Sequence, residues 1–355
     1  MADLFKHVMA RAYDERMLAV QPMFLQSLFG KSDSELILSQ TEKVDIDIIR
    51  DNRKVAVDVI RGGGVGNTNF SNRFSAKEYT LPLYWEEAPI TASMLNKRLP
   101  GLDPYQPADR MAALAYHASK IQAEQAMKIR RAIEAMAAEA LLSGTVTLKN
   151  TDSLDFSRKV AHTVVPGTKW DSTGNPITDI RALCDVIFQN GKMKPDTLIF
   201  GGAAWDSFIG NSNVTSYLDK RRIEPGRVSP TEVLSGATFQ GRVWIGDYQL
   251  DLYTYNEFYL DASDTATPYV TTDSVIVMNR SAYLVKAFGA VEVLPVFQDE
   301  YRRLGMPGVP QFQQGQIVPF AYEKPPAALY AGVQSAPVVI PTAIDTVGVF
   351  NNVDT

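Results

Sequence analysis

Residues 109–142 contain neither glycine nor proline, and about a third of them are alanine, the strongest helix former. Pro107 presets the backbone just ahead of this stretch, Asp109 places a negative charge near its start, and Ser143-Gly144 supplies the stop. The spacing therefore predicts one helix of roughly 50 Å, about three times the usual length of a globular helix. Met111, Leu114, Ala118 and Ile121, then Ile129, Ile133, Met136 and Ala140, make one apolar stripe. Arg110, Lys120, Glu124, Lys128, Arg131 and Glu134 are expected off it. The stripe keeps no strict heptad and no second long helix is available to pair with it, which argues against a coiled coil. Two roles remain open at this level: a backbone helix lying on a sheet, or a dimerisation rod.

What surrounds the helix is uneven. Residues 1–20 read as an amphipathic helix with Leu4, Phe5, Val8, Met9 and Ala12 on one side, ended by Gln21-Pro22. A compact apolar anchor follows, Met23-Phe24-Leu25 and Leu28-Phe29. From Thr41 the period becomes two. Val44, Ile46 and Ile48 alternate with aspartates, and after a polar turn Val55, Val57 and Val59 do the same, the pattern of a one-faced β-hairpin projecting from the body. The Gly62-Gly63-Gly64-Val65-Gly66 stretch is a flexible loop tip by composition, and Tyr79, Leu81, Leu83 and Trp85 form a returning strand.

Beyond the helix, Thr145–Leu148 and Phe156–Val165 read as strands, and the polar run 169–176 as a boundary. Helices are expected over Ile177–Gln189, stopped by Gly191, over Ala203–Ile209 and over Asn213–Arg221. Strands are expected at Thr197–Phe200, Val243–Ile245, Leu250–Tyr253 and Ser274–Met278, with Leu284–Phe288 and Val291–Val296 as a further pair. Residues 307–316 read as a long loop, and the tail from Ala331 to Val349 as strand, proline-rich turn, strand. The fold class is α+β.

Composition narrows the chemistry. At 355 residues, 45% hydrophobic and 21% charged, the chain can bury a sizeable core. A net charge of −5 does not suit binding nucleic acid by phosphate neutralisation. The single Cys184 excludes an intrachain disulfide and fits assembly in a reducing compartment. No apolar run reaches the roughly 20 residues of a membrane span, and the N-terminus lacks the pattern of a secretory signal.

A search for catalytic constellations finds none. The glycine run lacks the strand–loop–helix setting and the Lys-Ser/Thr of a phosphate loop. His7, His117 and His162 stand apart from one another and from Cys184, so no metal ligand set and no Cys–His nucleophile is indicated. Asp261, Asp264 and Asp273 lack the spacing of a calcium loop. Asn69 and Asn213 open glycosylation triplets without meaning for an intracellular chain, and no nucleophile elbow occurs. No cofactor is expected. Arg221 and Arg222 with Asp219 read as an intersubunit salt-bridge patch in preference to a substrate site. A terminal arm, a projecting ribbon and an over-long helix are costly to order unless neighbours bury them, which points to a subunit of an assembly.

Several segments carry a resemblance: QPMFLQSLF (21–29), TEKV (41–44), IRGGG (60–64), KRLPGLDP (97–104), GTKWD (167–171), the stretch from Trp205 to Leu218-Asp219-Lys220-Arg221-Arg222, and VQSAPVV (333–339). In order and spacing they are similar to lambda-type major capsid proteins of tailed bacteriophages, which have the Hong Kong 97-type fold. The resemblance implies an N-terminal arm over 1–42 and an extended loop over 43–90 lying across an adjacent subunit. It implies a peripheral domain over 91–176 with 109–142 as its spine helix, and an axial domain over 177–300. Residues 301–355 would return to the peripheral sheet. It further implies hexamers and pentamers forming an icosahedral shell around double-stranded DNA without sequence-specific binding, with no membrane involved. A scaffold protein, a portal and, in many relatives, a small decoration protein are the implied partners. Assembly would take place in the host bacterial cytoplasm, with the virion as destination. On this reading Val44, Ile46, Ile48, Val55, Val57, Val59, Phe24, Phe29, Arg221 and Arg222 are the expected subunit contacts, and Gly62, Gly63, Gly64 and Gly66 the mobile tip. A tail-tube or other ring-forming phage protein, or a nucleotide-binding enzyme using the glycine loop, are the competing readings.

Overall fold

The computed structural model describes residues 23–32, 35–41, 43–49, 74–96, 110–148, 153–220, 231–234, 236–261, 263–293, 311–324 and 328–354. The terminal helix expected over 1–20 lies outside them. So do Val55, Val57 and Val59, the glycines 62–66, Arg221 and Arg222.

In chain order, β1 is Leu36–Leu38, β2 Lys43–Ile49, β3 Phe74–Thr80 and β4 Tyr84–Ile90. A short α1 (Ala92–Leu95) precedes the long helix α2, Arg110–Ser143, with β5 Thr145–Thr147, β6 Ser153–Asp155 and β7 Thr163–Val164 after it. Then come α3 (Pro176–Gly191), β8 (Thr197–Phe200), α4 (Gly202–Gly210), α5 (Ser212–Lys220), β9 (Thr231–Leu234), β10 (Ala237–Ile245) and β11 (Tyr248–Tyr255). The chain closes with β12 (Phe258–Leu260), β13 (Ala266–Pro268), β14 (Val275–Met278), β15 (Leu284–Phe288), β16 (Val291–Val293), β17 (Gln311–Gln313), β18 (Val318–Lys324), β19 (Ala328–Ser335), β20 (Pro337–Pro341) and β21 (Val347–Phe350).

A seven-stranded mixed sheet in the order β7-β21-β14-β8-β11-β10-β9 forms one body, with α3 packed on it. Its centre is β8, four consecutive buried residues paired parallel to β11 and antiparallel to β14. Strands buried on both faces read as continuous apolar runs, which is why TLIF needs no alternation. Ile180, Leu183, Cys184 and Ile187 of α3 face Leu198, Phe200, Val275 and Phe350 in one core cluster. Asn175 caps α3, its Oδ1 accepting from Thr178 N, and Pro176 occupies the first helical turn.

A second unit is built on α2. Sheet β18-β19-β4 and sheet β1-β15-β20 pack along it. Ile129, Ile133, Met136, Ala140 and Leu141 on the helix join Val333, Val338, Val339 and Ile340 in the largest core cluster. Fully burying such side chains is worth about 1.5–3 kcal/mol each, which holds a helix this long in place. Small residues let the strands approach closely. A Cβ on Gly332 would come within 2.3 Å of Glu86 O and 2.6 Å of Phe320 Cζ, so the Phe320 ring lies directly across β19 at the glycine.

The helix ends on two devices. Gly144 takes φ +75, the left-handed turn that only glycine adopts freely, and Gly144 N donates to Ala140 O at 3.1 Å. The Arg158 guanidinium then donates to Leu141 O (Nη1, 2.7 Å) and to Leu142 O (Nη2), satisfying two terminal carbonyls.

Several expectations need correcting. Glu134, expected off the apolar stripe, is 0% exposed, and Gln122 and Gln125 are buried with it, whereas Met111 is exposed. Tyr79 to Trp85 is not one strand: Pro82 divides it, and β3 pairs with β2 while β4 pairs with β19. Phe156–Val165 keeps only β7 as strand. Ser157 turns at φ 54, which swings Arg158 back onto the helix and leaves Val160 89% exposed. Helix α3 runs through Gly191, and the left-handed residue is Lys192 (φ 63). β15 and β16 do not pair with each other. Gly289 N donates to Ala336 O and Ala290 N to Thr41 O, so the chain continues along other strands instead of reversing. The proline-rich turn of the tail is itself a strand, β20, with Pro337 and Pro341 at its two ends, and the loop over 307–316 contains β17.

Candidate functional site

Three features of this fold could act on something outside the chain or hold a moving part of it. All three meet on α2.

The first is the seat of the N-terminal anchor. Residues Gln26–Leu28 form one turn of 3-10 helix, whose leading N–H groups have no partner within the turn. Glu134 supplies it. Its Oε1 accepts from Leu25 N (2.7 Å) and from Tyr255 Oη (2.6 Å), and its Oε2 accepts from Gln26 N (2.8 Å). Burial pushes the Glu134 carboxyl above the usual carboxylate range, while these three donors and the charge of Lys286 pull it back. Burial also lowers the Lys286 ammonium to about 8. The Phe24 ring meets those of Tyr253 and Tyr255 at a tilt, with centroids 5.3 and 5.7 Å apart, and Tyr269 Oη reaches Met23 Sδ at 3.9 Å. The anchor is thus clamped to the middle of α2 and to β11.

The second is the sheet β18-β19-β4. Its inner face, with Ile90, Ala331 and Val333, lies on α2. The outer edge of β4 is occupied by the helix: the Gln125 carboxamide faces Glu86 O through its nitrogen (3.1 Å) and Ala88 N through its oxygen (3.0 Å), and Lys128 pairs with Glu86 at 3.2 Å. A side-chain amide here stands in for a neighbouring strand and blunts the edge. The outer face carries an aromatic row. Trp85 meets Phe320 edge-on at 5.1 Å, Phe320 stacks on Tyr322, and Tyr322 stacks on Tyr330 at 5.4 Å. Glu87 accepts from both Trp85 Nε1 (2.8 Å) and Tyr322 Oη (2.9 Å), which fixes the row.

The third is a groove of 1280 Å³ between α2 and the small ribbon β12–β13. Lys128, Arg131, Ala135, Glu139 and Leu142 line the helix side, and Phe258, Leu260, Asp261 and Asp264 the ribbon side. Phe258 and Leu260 are more than half exposed, while Tyr259 between them turns inward onto Tyr269 at 5.1 Å.

The expected contact residues fall in different places. Phe24 and Phe29, expected between subunits, are each 1% exposed within their own chain, so their apolar area is already spent on its core. Val44, Ile46 and Ile48 lie on β2, whose partner among the described residues is β3, with Val44 opposite Tyr79 and Ile48 opposite Ser75. The second arm expected for that hairpin, the glycine tip and the Arg221-Arg222 pair lie outside the described residues.

His162 is fully buried. Its Nδ1 faces Val347 O at 3.0 Å and its Nε2 accepts from Asn190 Nδ2 at 2.9 Å, an arrangement satisfied by the neutral ring; burial lowers its pKa. Burial pushes the Cys184 thiol up to about 12. Among the described residues, no cluster of His, Cys, Asp and Glu could hold a metal ion, and no helix is long and apolar enough to cross a membrane.

Sequence reading missed Glu134, Gln125 and Arg158. A weak signal for the first was available: Glu134 sits between Ile133 and Met136, inside the apolar sector of the helix's second half. For Gln125 and Arg158 no local signal exists, because their partners are 39 and 17 residues away.

The model of one protein family, described as phage major capsid protein E, matches residues 9–348. Among solved structures, the chain is similar to a candidate capsid protein of a prophage of Escherichia coli CFT073, at 18% identity over 93% of each chain with a TM-score of 0.60. It is also similar to a phage-related protein of Bordetella bronchiseptica RB50, at 10% identity over 93% of this chain and 92% of that one, with a TM-score of 0.50. No curated protein matches the chain significantly.

Proposed function

The chain belongs to the phage major capsid protein E family, a shell-forming protein of the virion with the Hong Kong 97-type fold, and on that premise we propose how it builds its shell. Copies assemble as hexamers and pentamers into an icosahedral shell that encloses double-stranded DNA. Assembly takes place in the host cytoplasm around a scaffold protein and a portal. Residues 1–42 act as an arm, 43–90 as an extended loop over an adjacent copy, 91–176 with 301–355 as the peripheral domain, and 177–300 as the axial domain around the symmetry axes. The acidic balance of the chain suits an inner wall that holds DNA loosely.

The observation that carries this reading is the family match over nearly the whole chain, residues 9–348. Its physical counterpart is the amount of apolar surface left on the subunit. Trp85 in the aromatic row, Leu83 next to it, and Phe258 and Leu260 on the ribbon are all about half exposed or more. Exposed apolar area of this kind marks contact with other chains.

Negative-stain electron microscopy of the purified chain, expressed with its scaffold, tests the proposal. Closed isometric shells are expected. Tubes, open rings or dispersed subunits alone would overturn it.

A further inference from the structure

We propose that the aromatic row on the outer face of sheet β18-β19-β4, with Glu87 in its midst, is the receptor for an arginine or lysine side chain of a neighbouring copy of this chain. This deepens the shell-forming reading, on which the choice of a second copy as occupant rests.

The first argument is how the rings lie. Register places Phe320 opposite Gly332 and Gly332 opposite Glu87, so β18 and β4 are two strand spacings, roughly 10 Å, apart. The Tyr322 hydroxyl nevertheless donates to Glu87 at 2.9 Å, which stretches its ring across β19. Phe320 crosses the same strand at Gly332, where no Cβ lifts it off the backbone. The planes of Phe320 and Tyr322 differ by 19°, and those of Tyr322 and Tyr330 by 14°. Three near-parallel, offset plates therefore lie over the sheet, each half-buried. Trp85, 51% exposed, stands at 63° to Phe320 and closes one end.

The second argument is charge. Aromatic faces carry the negative side of the ring quadrupole and attract a cation placed over them. Glu87 adds a full negative charge among them. Its donors, Trp85 Nε1 and Tyr322 Oη, are neutral, and among the described residues no cation pairs with it. Its neighbour Glu86 differs, because it turns to the helix side and has Lys128 at 3.2 Å. The outer face thus presents an uncompensated carboxylate beside aromatic planes, the complement of a guanidinium or an ammonium group. A nucleic acid is the wrong partner, since its phosphates would meet Glu87 in a chain of net charge −5.

The third argument is what is left open. The inner face of the sheet lies on α2, and Gln125 holds the edge of β4. Leu83, 54% exposed, adds apolar area beside Trp85, of the kind that a shell subunit covers with another copy. The contact is heterologous: every copy offers one receptor and one basic side chain, the arrangement that closes into rings.

The test has two readouts on the full chain. The first uses Glu87→Gln. Both row donors reach the same carboxylate oxygen, Oε2, so the glutamine carbonyl keeps them and only the charge is lost. At about 10 mM salt, where charges act over roughly 30 Å, the concentration needed for particle formation with the scaffold should rise about fivefold or more. At about 1 M salt, where that range is roughly 3 Å, variant and parent should differ by less than about twofold. In the second readout a benzophenone side chain replaces Leu83 in a minor, isotopically labelled fraction, which is co-assembled with unlabelled chain and irradiated. Cross-links joining labelled to unlabelled chain, at a segment that contains a lysine or an arginine, are expected. Circular dichroism of dispersed subunits checks folding, and if Glu87→Gln does not fold, the cross-link alone decides. An unchanged assembly concentration in folded Glu87→Gln at low salt, or a rise that high salt does not remove, would overturn the proposal. So would cross-links confined to the labelled chain, or cross-links to segments without a basic residue. Particle shape is scored separately by microscopy. Closed shells without these cross-links leave the shell-forming reading standing and remove this one, whereas tubes that carry them do the reverse.

Discussion

Glu134 Oε1 accepts hydrogen bonds from both Leu25 N and Tyr255 Oη, at 2.7 and 2.6 Å, and so joins three distant parts of the chain at one buried atom. A carboxylate buried on α2 is expensive to desolvate, and here its oxygens accept from three donors, Leu25 N, Gln26 N and Tyr255 Oη. Removing it would strand two backbone N–H groups and a phenol away from water. Glu134→Ala should therefore destabilise the chain by about 3 kcal/mol or more, since each of the three orphaned buried donors costs about 1–3 kcal/mol. Urea unfolding followed by circular dichroism measures it, and a loss under 1 kcal/mol would show that water or a side-chain shift replaces the carboxylate.

The C-terminus of α2 depends on Gly144 and Arg158 together. A Cβ on Gly144 would lie 2.9 Å from Arg158 Cβ and would carry a left-handed φ. Gly144→Ala should cost about 1–2 kcal/mol from the backbone alone. Arg158→Ala should cost a similar amount through two lost carbonyl bonds. Because Gly144→Ala also displaces Arg158, the double variant should lose less than the sum, which a double-mutant cycle by thermal unfolding will show.

His162 makes stability depend on pH. Burial lowers its folded pKa below the 6.5 of the exposed ring, so unfolding takes up a proton. The contribution is fully present above pH 6.5 and is lost as pH falls from there toward the folded value. Between pH 7.5 and 5.5 the chain should lose up to about 1.4 kcal/mol through this residue. His162→Gln should flatten that part of the pH profile, and an unchanged slope would remove His162 as its source.

Cys184 should be silent while the chain is folded. Its thiol is buried on α3 and pushed up to about 12, so almost no thiolate exists at neutral pH. A chromogenic disulfide reagent should react only after denaturant is added. Rapid reaction in buffer would mean that α3 opens locally.

For assembly, Val57→Asp should block particles and leave subunits soluble, because an aspartate on the apolar side of the proposed extended loop could not be buried under a neighbour. Sedimentation and electron microscopy separate the two effects. Normal shells from this variant would remove that face from the contact.

Local regularities in the sequence determined a good deal. Helix α2 falls within one residue of the run predicted from 109 to 142, and β8 and β15 coincide with the predicted Thr197–Phe200 and Leu284–Phe288. Composition and capping act within a few residues, so they can be read directly. The segments at 21–29, 97–104 and 333–339 also carried the family resemblance. What the chain alone did not disclose is pairing between distant parts. Nothing near Glu134 marks it as the acceptor for residue 25, more than a hundred positions away. Nothing in VQSAPVV shows that β19 and β20 join different sheets. Nothing at Phe24 shows that its own core, and not a neighbour, covers it. Hydrophobic period says that a face is buried, and only the packed structure says against what.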